Sequence, residues 1–298
     1  MRKGPLPLPT KQFRMLDGSI NRSCLHPVVA QRLCPVESEA AMKIRRTKVQ
    51  MRVGLLMAFT LGMMGSVGLA SGISGASSAN PFSGKTPAQV LAMSRVAALA
   101  EGSVHVVENN TFDGMPGHVV TSAGTTQGRQ VLTGPYTGNA TILLASARVL
   151  YVRGNVTFLG GYRMTQEEAT KYADKWIAIP SSSPYFAGTA SFLTVSSVMT
   201  GVTPSAPLGF TKPKTFAGKR VVGISGGPGP YTPSGSIGTQ VLYISTAKPY
   251  LPVALVAHIT LSAGALSFTD TFSRYGARVA VKAPANSIPI SSILAPTP

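Results

Sequence analysis

Between Ser103 and Asn155 the apolar residues recur at every second position, in short runs broken by Gly, Asn or Pro. The runs are SVHVVEN, GHVVTSAG and GRQVLTG, then NATILLASAR and VLYVRGN, which read as one long strand or as two joined at a bend. Period two is the mark of a strand. With no helix between them, such strands pair antiparallel with their chain neighbours, as a meander. Turn chemistry falls between them at Asp113-Gly114, Gly124–Gly128 and Gly134–Asn139. The last third repeats the pattern in KRVVGIS, VLYISTA, LPVALVAHITL, GALSFTDTF and RVAVKAP, and the tail Ser287–Pro298 reads as extended or frayed.

Helical period appears in only three places. Thr86-Pro87 opens the first, with threonine as N-cap and proline at the first helical position. Val90, Met93, Ala97 and Ala100 mark one apolar face, widened by Leu91 and Val96, with Ser94, Arg95 and Glu101 at polar positions and Gly102 as the stop. Thr165-Gln166-Glu167-Glu168 reads as a capping box before ATKYADKW. The strand WIAIP follows, and then YFAGTASFLTVSSVMTG, helical or irregular. The order helix, meander, helices, meander predicts one α+β domain. So many strands with so few helices predict a single antiparallel sheet that is strongly curved, a half-barrel closed by a few helices.

The N-terminal quarter has a different character. Val53–Ala70 is an apolar run of 18 residues, preceded by the basic segment Met42–Arg52 and followed by the small-residue tract Ser71–Ala79. A basic lead, an apolar stretch and small residues make a secretory signal. Eighteen residues also reach the lower limit for a membrane span, so the run is either cleaved or retained as an anchor, with cleavage favoured by its four glycines. Cleavage after Ala79 or Ala70 would fit. Residues 1–41 read as an upstream lead, disordered or not translated, and residues 42–79 as the signal segment. Residues 80–298 are then a single exported domain, secreted or on the outer face of the cell envelope. Both cysteines, Cys24 and Cys34, lie in the lead, so the exported part depends on its core instead of disulfides.

The whole chain carries 27 basic and 10 acidic residues, a net charge of +17. In residues 80–298, 16 basic and 7 acidic side chains give +9. A nucleic-acid surface needs clustered Lys/Arg with interleaved aromatics, whereas here the basic residues are scattered singly, the densest group being Lys212, Lys214, Lys219 and Arg220. Nucleic acid is therefore not an expected partner, whereas contact with anionic membrane surfaces fits.

Few residues suggest catalysis. Gly223-Ile224-Ser225-Gly226-Gly227 matches the spacing of a nucleophile elbow, but GPGPYTPSG follows where a helix is needed, and His258 precedes Asp270. A turn is the expected reading, and an esterase built on Ser225 is a distant one. His26, His105, His118 and His258 have no second ligand at metal spacing, although His105 and His118 fall in adjacent strands and could face each other. GISGGPGP lacks the Lys-Ser/Thr of a phosphate loop. The expectation is a protein without enzyme activity, metal or cofactor.

Several phrases form a familiar series. They are Ala100–Val106 (AEGSVHV), Val149–Gly154 (VLYVRG), Lys175–Pro180 (KWIAIP), Leu242–Ser245 (LYIS) running to Lys248–Pro252 (KPYLP), and Phe272–Val279 (FSRYGARV). In these the chain resembles the LolA-like superfamily, in particular the actinobacterial lipid-binding envelope lipoproteins, over residues 86–290. The resemblance implies a curved half-barrel with a hydrophobic cavity for acyl chains, and carriage of lipid across the envelope without catalysis. It brings no residue-level motif. From the strands themselves the expected lining is Val104, Val106, Leu150, Val152, Trp176, Phe192, Leu193, Val222, Leu242, Ile244 and Leu255, with the concave face left open. One departure stands out. The lipoproteins carry a cysteine after the apolar run to receive a lipid, and here Leu69-Ala70-Ser71-Gly72 has none. The leading expectation is a protein that binds a lipid or another apolar small molecule, and the alternative is an envelope sensor or interaction domain regulating a membrane partner.

Overall fold

The computed structural model describes residues 81–294. The apolar run, the basic lead and both cysteines lie outside the described residues. No described helix is long and apolar enough to cross a membrane.

The first helix, α1 (Pro87–Ala100), starts as the sequence predicts. Thr86 Oγ1 accepts from the Gln89 N–H at 3.2 Å, and the Gln89 side chain accepts from the Thr86 N–H at 2.8 Å, a reciprocal capping box. Its buried stripe is Val90, Leu91, Ser94 and Ala98, so the expected face is rotated. Val96 is 66% exposed, while Ser94, expected at a polar position, is only 1% exposed. Small side chains at 94 and 98 let the helix come close to its neighbours.

The meander follows as β1 (Val104–Phe112), β2 (Met115–Ala123), β3 (Gly128–Thr133), β4 (Ala140–Ser146), β5 (Val149–Gly154) and, after two helices, β6 (Trp176–Pro180). The 140–154 region is thus two strands. The short α2 (Val156–Gly160) has no counterpart in the sequence reading, because five residues show no period; Asn155 caps it, its Oδ1 accepting from the Phe158 N–H at 3.0 Å. The α3 helix (Gln166–Tyr172) has the expected capping box between Thr165 and Glu168. The segment after β6 resolves into α4 (Phe186–Ala190) and α5 (Val195–Gly201).

The second meander runs β7 (Ser205–Phe210), β8 (Lys214–Phe216), β9 (Lys219–Gly227), β10 (Ile237–Ser245), β11 (Pro252–Leu261) and β12 (Gly264–Ser273). RVAVKAP forms no strand. Of the tail, expected to be extended or frayed, the described part starts extended: β13 (Ser287–Pro289) pairs in parallel with β6, and Ile290 and Ile293 are buried against the core beside it. All thirteen strands form one sheet of order β13-β6-β5-β4-β3-β2-β1-β12-β11-β10-β9-β7, with β8 beside β9. The edges β13 and β7 do not pair with each other, so the sheet is open. The predicted α+β class, a single curved, mostly antiparallel sheet with a few helices, is what the chain adopts. Its two meanders meet at the β1–β12 seam, where Val106 lies opposite Phe272 and Glu108 opposite Asp270.

Candidate functional site

Alternate residues of the central strands share the inner face, because directly opposite residues of an antiparallel pair point the same way. One row runs Val152, Ile142, Gln130, Thr121, Val106, Phe272 across β5, β4, β3, β2, β1 and β12. The next runs Leu132, Val119, Glu108, Asp270, Leu255, Leu242, Ile224 from β3 to β9. Both rows are apolar at their ends and polar in the middle.

The apolar ends are two wings. In one, Val104, Val106, Val222, Ile224, Leu242, Ile244, Leu255 and Phe272 pack beneath α1 and α5. In the other, Ile142, Leu144, Leu150, Val152, Ile177 and Ile179 pack beneath α2 and α3, together with Phe158, Leu159 and Tyr162. A strap from Ser191 to Thr194 lies between α4 and α5 and crosses the inner face. Thr194 bridges to Gly124, and the Val195 N–H donates to the Gly124 carbonyl at 2.8 Å. A Cβ on Gly128 would collide with the Leu193 carbonyl oxygen, so only glycine admits the strap there. Phe192 holds a left-handed backbone (φ 66°), unusual for an aromatic residue, and its ring meets Tyr231 edge-on at 5.3 Å.

Beneath the strap and α5, the inner face carries a belt of polar side chains. Gln130 is 2% exposed, Asp270 5% and Glu108 8%, and Thr121 and Asn110 are also buried. The Gln130 Nε2 donates to Thr121 Oγ1 at 3.0 Å. Tyr136 donates its hydroxyl to Asn110 Oδ1 at 2.6 Å, and Asn110 Nδ2 donates to Glu108 Oε1 at 2.6 Å. Gln130 Oε1 has no hydrogen-bond partner among the described residues. The open space at the belt is about 20 Å³, lined by Glu108, Thr121, Gln130 and Asp270 with Val106, Val119, Phe192, Val198 and Val202. That is room for about one water. A polar cleft of about 310 Å³ lies elsewhere, at the rim, between Glu101–Ser103, Gly124–Gln127 and Gly276–Val279.

The residues named from sequence as a lining divide cleanly. Val104, Val106, Val222, Leu242, Ile244 and Leu255 sit in the first wing with Phe192 packed on it, and Leu150, Val152 and Leu193 sit in the second. Trp176 is the correction: it stands on the face of β6 opposite to Ile177, only partly buried, with the Arg153 guanidinium 5.2 Å from its ring centre. The period of a strand forces this, since its neighbour Ile177 takes the buried face. In the second wing, the space under α2 and α3 is filled by Leu159, Tyr162, Met164 and Ile290.

Ser225 lies inside the continuous strand β9, which corrects the expected turn over 223–227; its hydroxyl donates to the Gly209 carbonyl at 3.2 Å. The glycines there serve close packing, for a Cβ on Gly226 would meet the Ser205 carbonyl. His105 and His118 do not face each other. His105 Nδ1 lies 3.1 Å from Ser122 Oγ, and His118 Nδ1 lies 2.9 Å from Asn109 Oδ1. No group of three His, Cys, Asp or Glu side chains occurs among the described residues. The basic group sits along β8 and β9, with Lys214 Nζ 3.8 Å from the Tyr243 ring centre.

The belt escaped the sequence reading, although a signal was present. In VHVVENN, Glu108 and Asn110 continue the parity of Val104 and Val106. Polar residues at inward positions therefore mark the place.

No protein-family model matches the chain, and no curated protein matches it. Solved structures similar to it include the lipoprotein LppX of Mycobacterium tuberculosis, at 17% identity and TM-score 0.41, over 66% of this chain and 100% of that one. LprF from Mycobacterium bovis is similar at 18% identity and TM-score 0.42, over 67% and 97%. A putative outer membrane lipoprotein-sorting protein domain from Vibrio parahaemolyticus follows, at 11% identity and TM-score 0.27, over 63% and 92%.

Proposed function

We propose that this chain is an exported protein of the cell envelope that shelters an apolar ligand, a lipid or acyl chains, between the inner face of its sheet and the cover above it. The observation that carries this reading is the cover itself. An open sheet of thirteen strands has its apolar inner face closed by five short helices and an irregular strap. The strap meets the sheet through the Gly124–Thr194 bridge and the Val195 hydrogen bond. Lifting it separates the wings and opens apolar surface to a chain-like ligand. Binding would be driven by desolvation, at about 25 cal/mol per Å² of apolar surface removed from water.

Export rests on the basic segment Met42–Arg52 ahead of the run Val53–Ala70. Lys212, Lys214, Lys219 and Arg220 give the sheet's β8–β9 side a positive character suited to anionic head groups. The test is native mass spectrometry of the purified full chain, combined with solvent extraction. A co-purified lipid, or saturable uptake of an added fluorescent fatty acid, is the expected result. A chain that carries no lipid and takes up no added fatty acid overturns the reading.

A further inference from the structure

The polar belt is placed where a sheet core would ordinarily be apolar. Glu108 and Asp270 lie directly opposite each other across the seam, and Thr121 lies opposite Gln130 on the next strand pair. Opposite residues of an antiparallel pair hold their Cβ atoms about 4.5–5.5 Å apart on one face. Two carboxyl groups are thus side by side, and the amide of Gln130, on β3 two strands from β1, lines the same small space. Gln130 spends its NH2 on Thr121, which leaves Oε1 buried and without a hydrogen-bond partner among the described residues. Gln240 shows the difference, since its Oε1 accepts from the Gly229 N–H at 3.0 Å and its Nε2 donates to the Val202 carbonyl at 2.9 Å.

We infer that the belt is a binding site for one small hard cation, with the carboxyl groups of Glu108 and Asp270 and the carbonyl oxygen of Gln130 as ligands. Apart from Thr121, the other lining side chains are apolar, and no lysine, arginine or histidine is among them. A space of about 20 Å³ suits one ion more than a head group. Oxygen ligands select hard cations, and the lack of room for a shell of waters favours calcium over magnesium, which keeps several waters. The Tyr136–Asn110–Glu108 chain of hydrogen bonds orients one carboxyl from behind, as outer partners of metal ligands do. Asn110 is seated over Gly117, where a Cβ would collide with its Oδ1. This site does not depend on the apolar-ligand reading.

The experiment strips the full chain with chelator and follows thermal unfolding with added calcium or magnesium, while native mass spectrometry counts bound ions. One calcium per chain is expected, with a rise in Tm of about 5–10 °C at a hundredfold excess over Kd. Magnesium should give a smaller rise. Asp270→Asn and Gln130→Met should each weaken calcium binding at least tenfold. Should Asp270→Asn fail to fold, Gln130→Met carries the test, because it removes the unpartnered oxygen at the cost of one hydrogen bond to Thr121 and keeps the side-chain length. The inference is overturned if calcium leaves Tm unchanged, or if the shift survives undiminished in Gln130→Met, which would make it an adventitious ion held by other carboxyl groups.

Discussion

The apolar wings and the polar belt occupy the same face of the same sheet, one strand apart. Ile142 lies across from Gln130, and Leu255 across from Asp270. On the wing side the space under α2 and α3 is filled by side chains, whereas at the belt a small gap is left, with the oxygen-bearing side chains of Glu108, Thr121, Gln130 and Asp270 in its lining. Burial of a polar group without a full set of hydrogen bonds costs about 1–3 kcal/mol, while burial of an aliphatic side chain contributes about that much. The wings therefore supply the stability, and Gln130 Oε1, buried without a hydrogen-bond partner among the described residues, draws on it. A feature that costs stability in the middle of a core serves something other than folding.

That contrast can be tested by substitution. Leu150→Ala, in a filled wing, should destabilise the protein by about 2–5 kcal/mol in urea titrations. Gly128→Ala should cost about 1–3 kcal/mol, since the new Cβ drives the strap backbone away; fluorescence of Trp176, on the outer side of β6, would separate this from global unfolding. The two buried glutamines then sharpen the comparison. Gln240→Met leaves the Gly229 N–H and the Val202 carbonyl without their partners and should cost about 1–3 kcal/mol. Gln130→Met, in chelator, should change stability by less than about 1 kcal/mol. Equal losses in the two variants would erase the distinction between a structural glutamine and a ligand-facing one.

The smallest effect lies on the other face. Burial, and then the charge of Arg274, hold His105 below its ordinary pKa of 6.5. The unfolded chain takes up that proton first as pH falls. The contribution of neutral His105 is therefore full above about 6.5 and declines as pH drops through the window below it. His105→Gln should flatten a shallow fall in Tm between pH 7 and 5, leaving Tm at pH 8 nearly unchanged.

Much of this layout was legible from residues alone. Period two and turn chemistry gave the strands of both meanders, and Thr86 and Thr165 marked two helix starts through side-chain oxygens at fixed offsets. Elements too short for a period were not readable: α2, with five residues, and β8 and β13, with three each. The tail's order comes from Ile290 and Ile293 filling a distant wing, a tertiary effect that no local pattern announces. The buried face of α1 was misjudged because Ser94 owes its burial to its size. The belt was half legible. Parity put Glu108 and Asn110 inward, but only strand pairing brings Asp270 to Glu108 across a long stretch of sequence.

The β1–β12 seam also sets an order of events. Each meander can grow by local hairpins, but the seam joins segments some 160 positions apart, and such distant pairings carry the largest loop-closure cost and come late. Glu108 belongs to the first half of the chain and Asp270 to the second, so neither half alone holds the complete oxygen set. An ion seated between them would act as a latch on the last join. Its occupancy would report that the two halves have met.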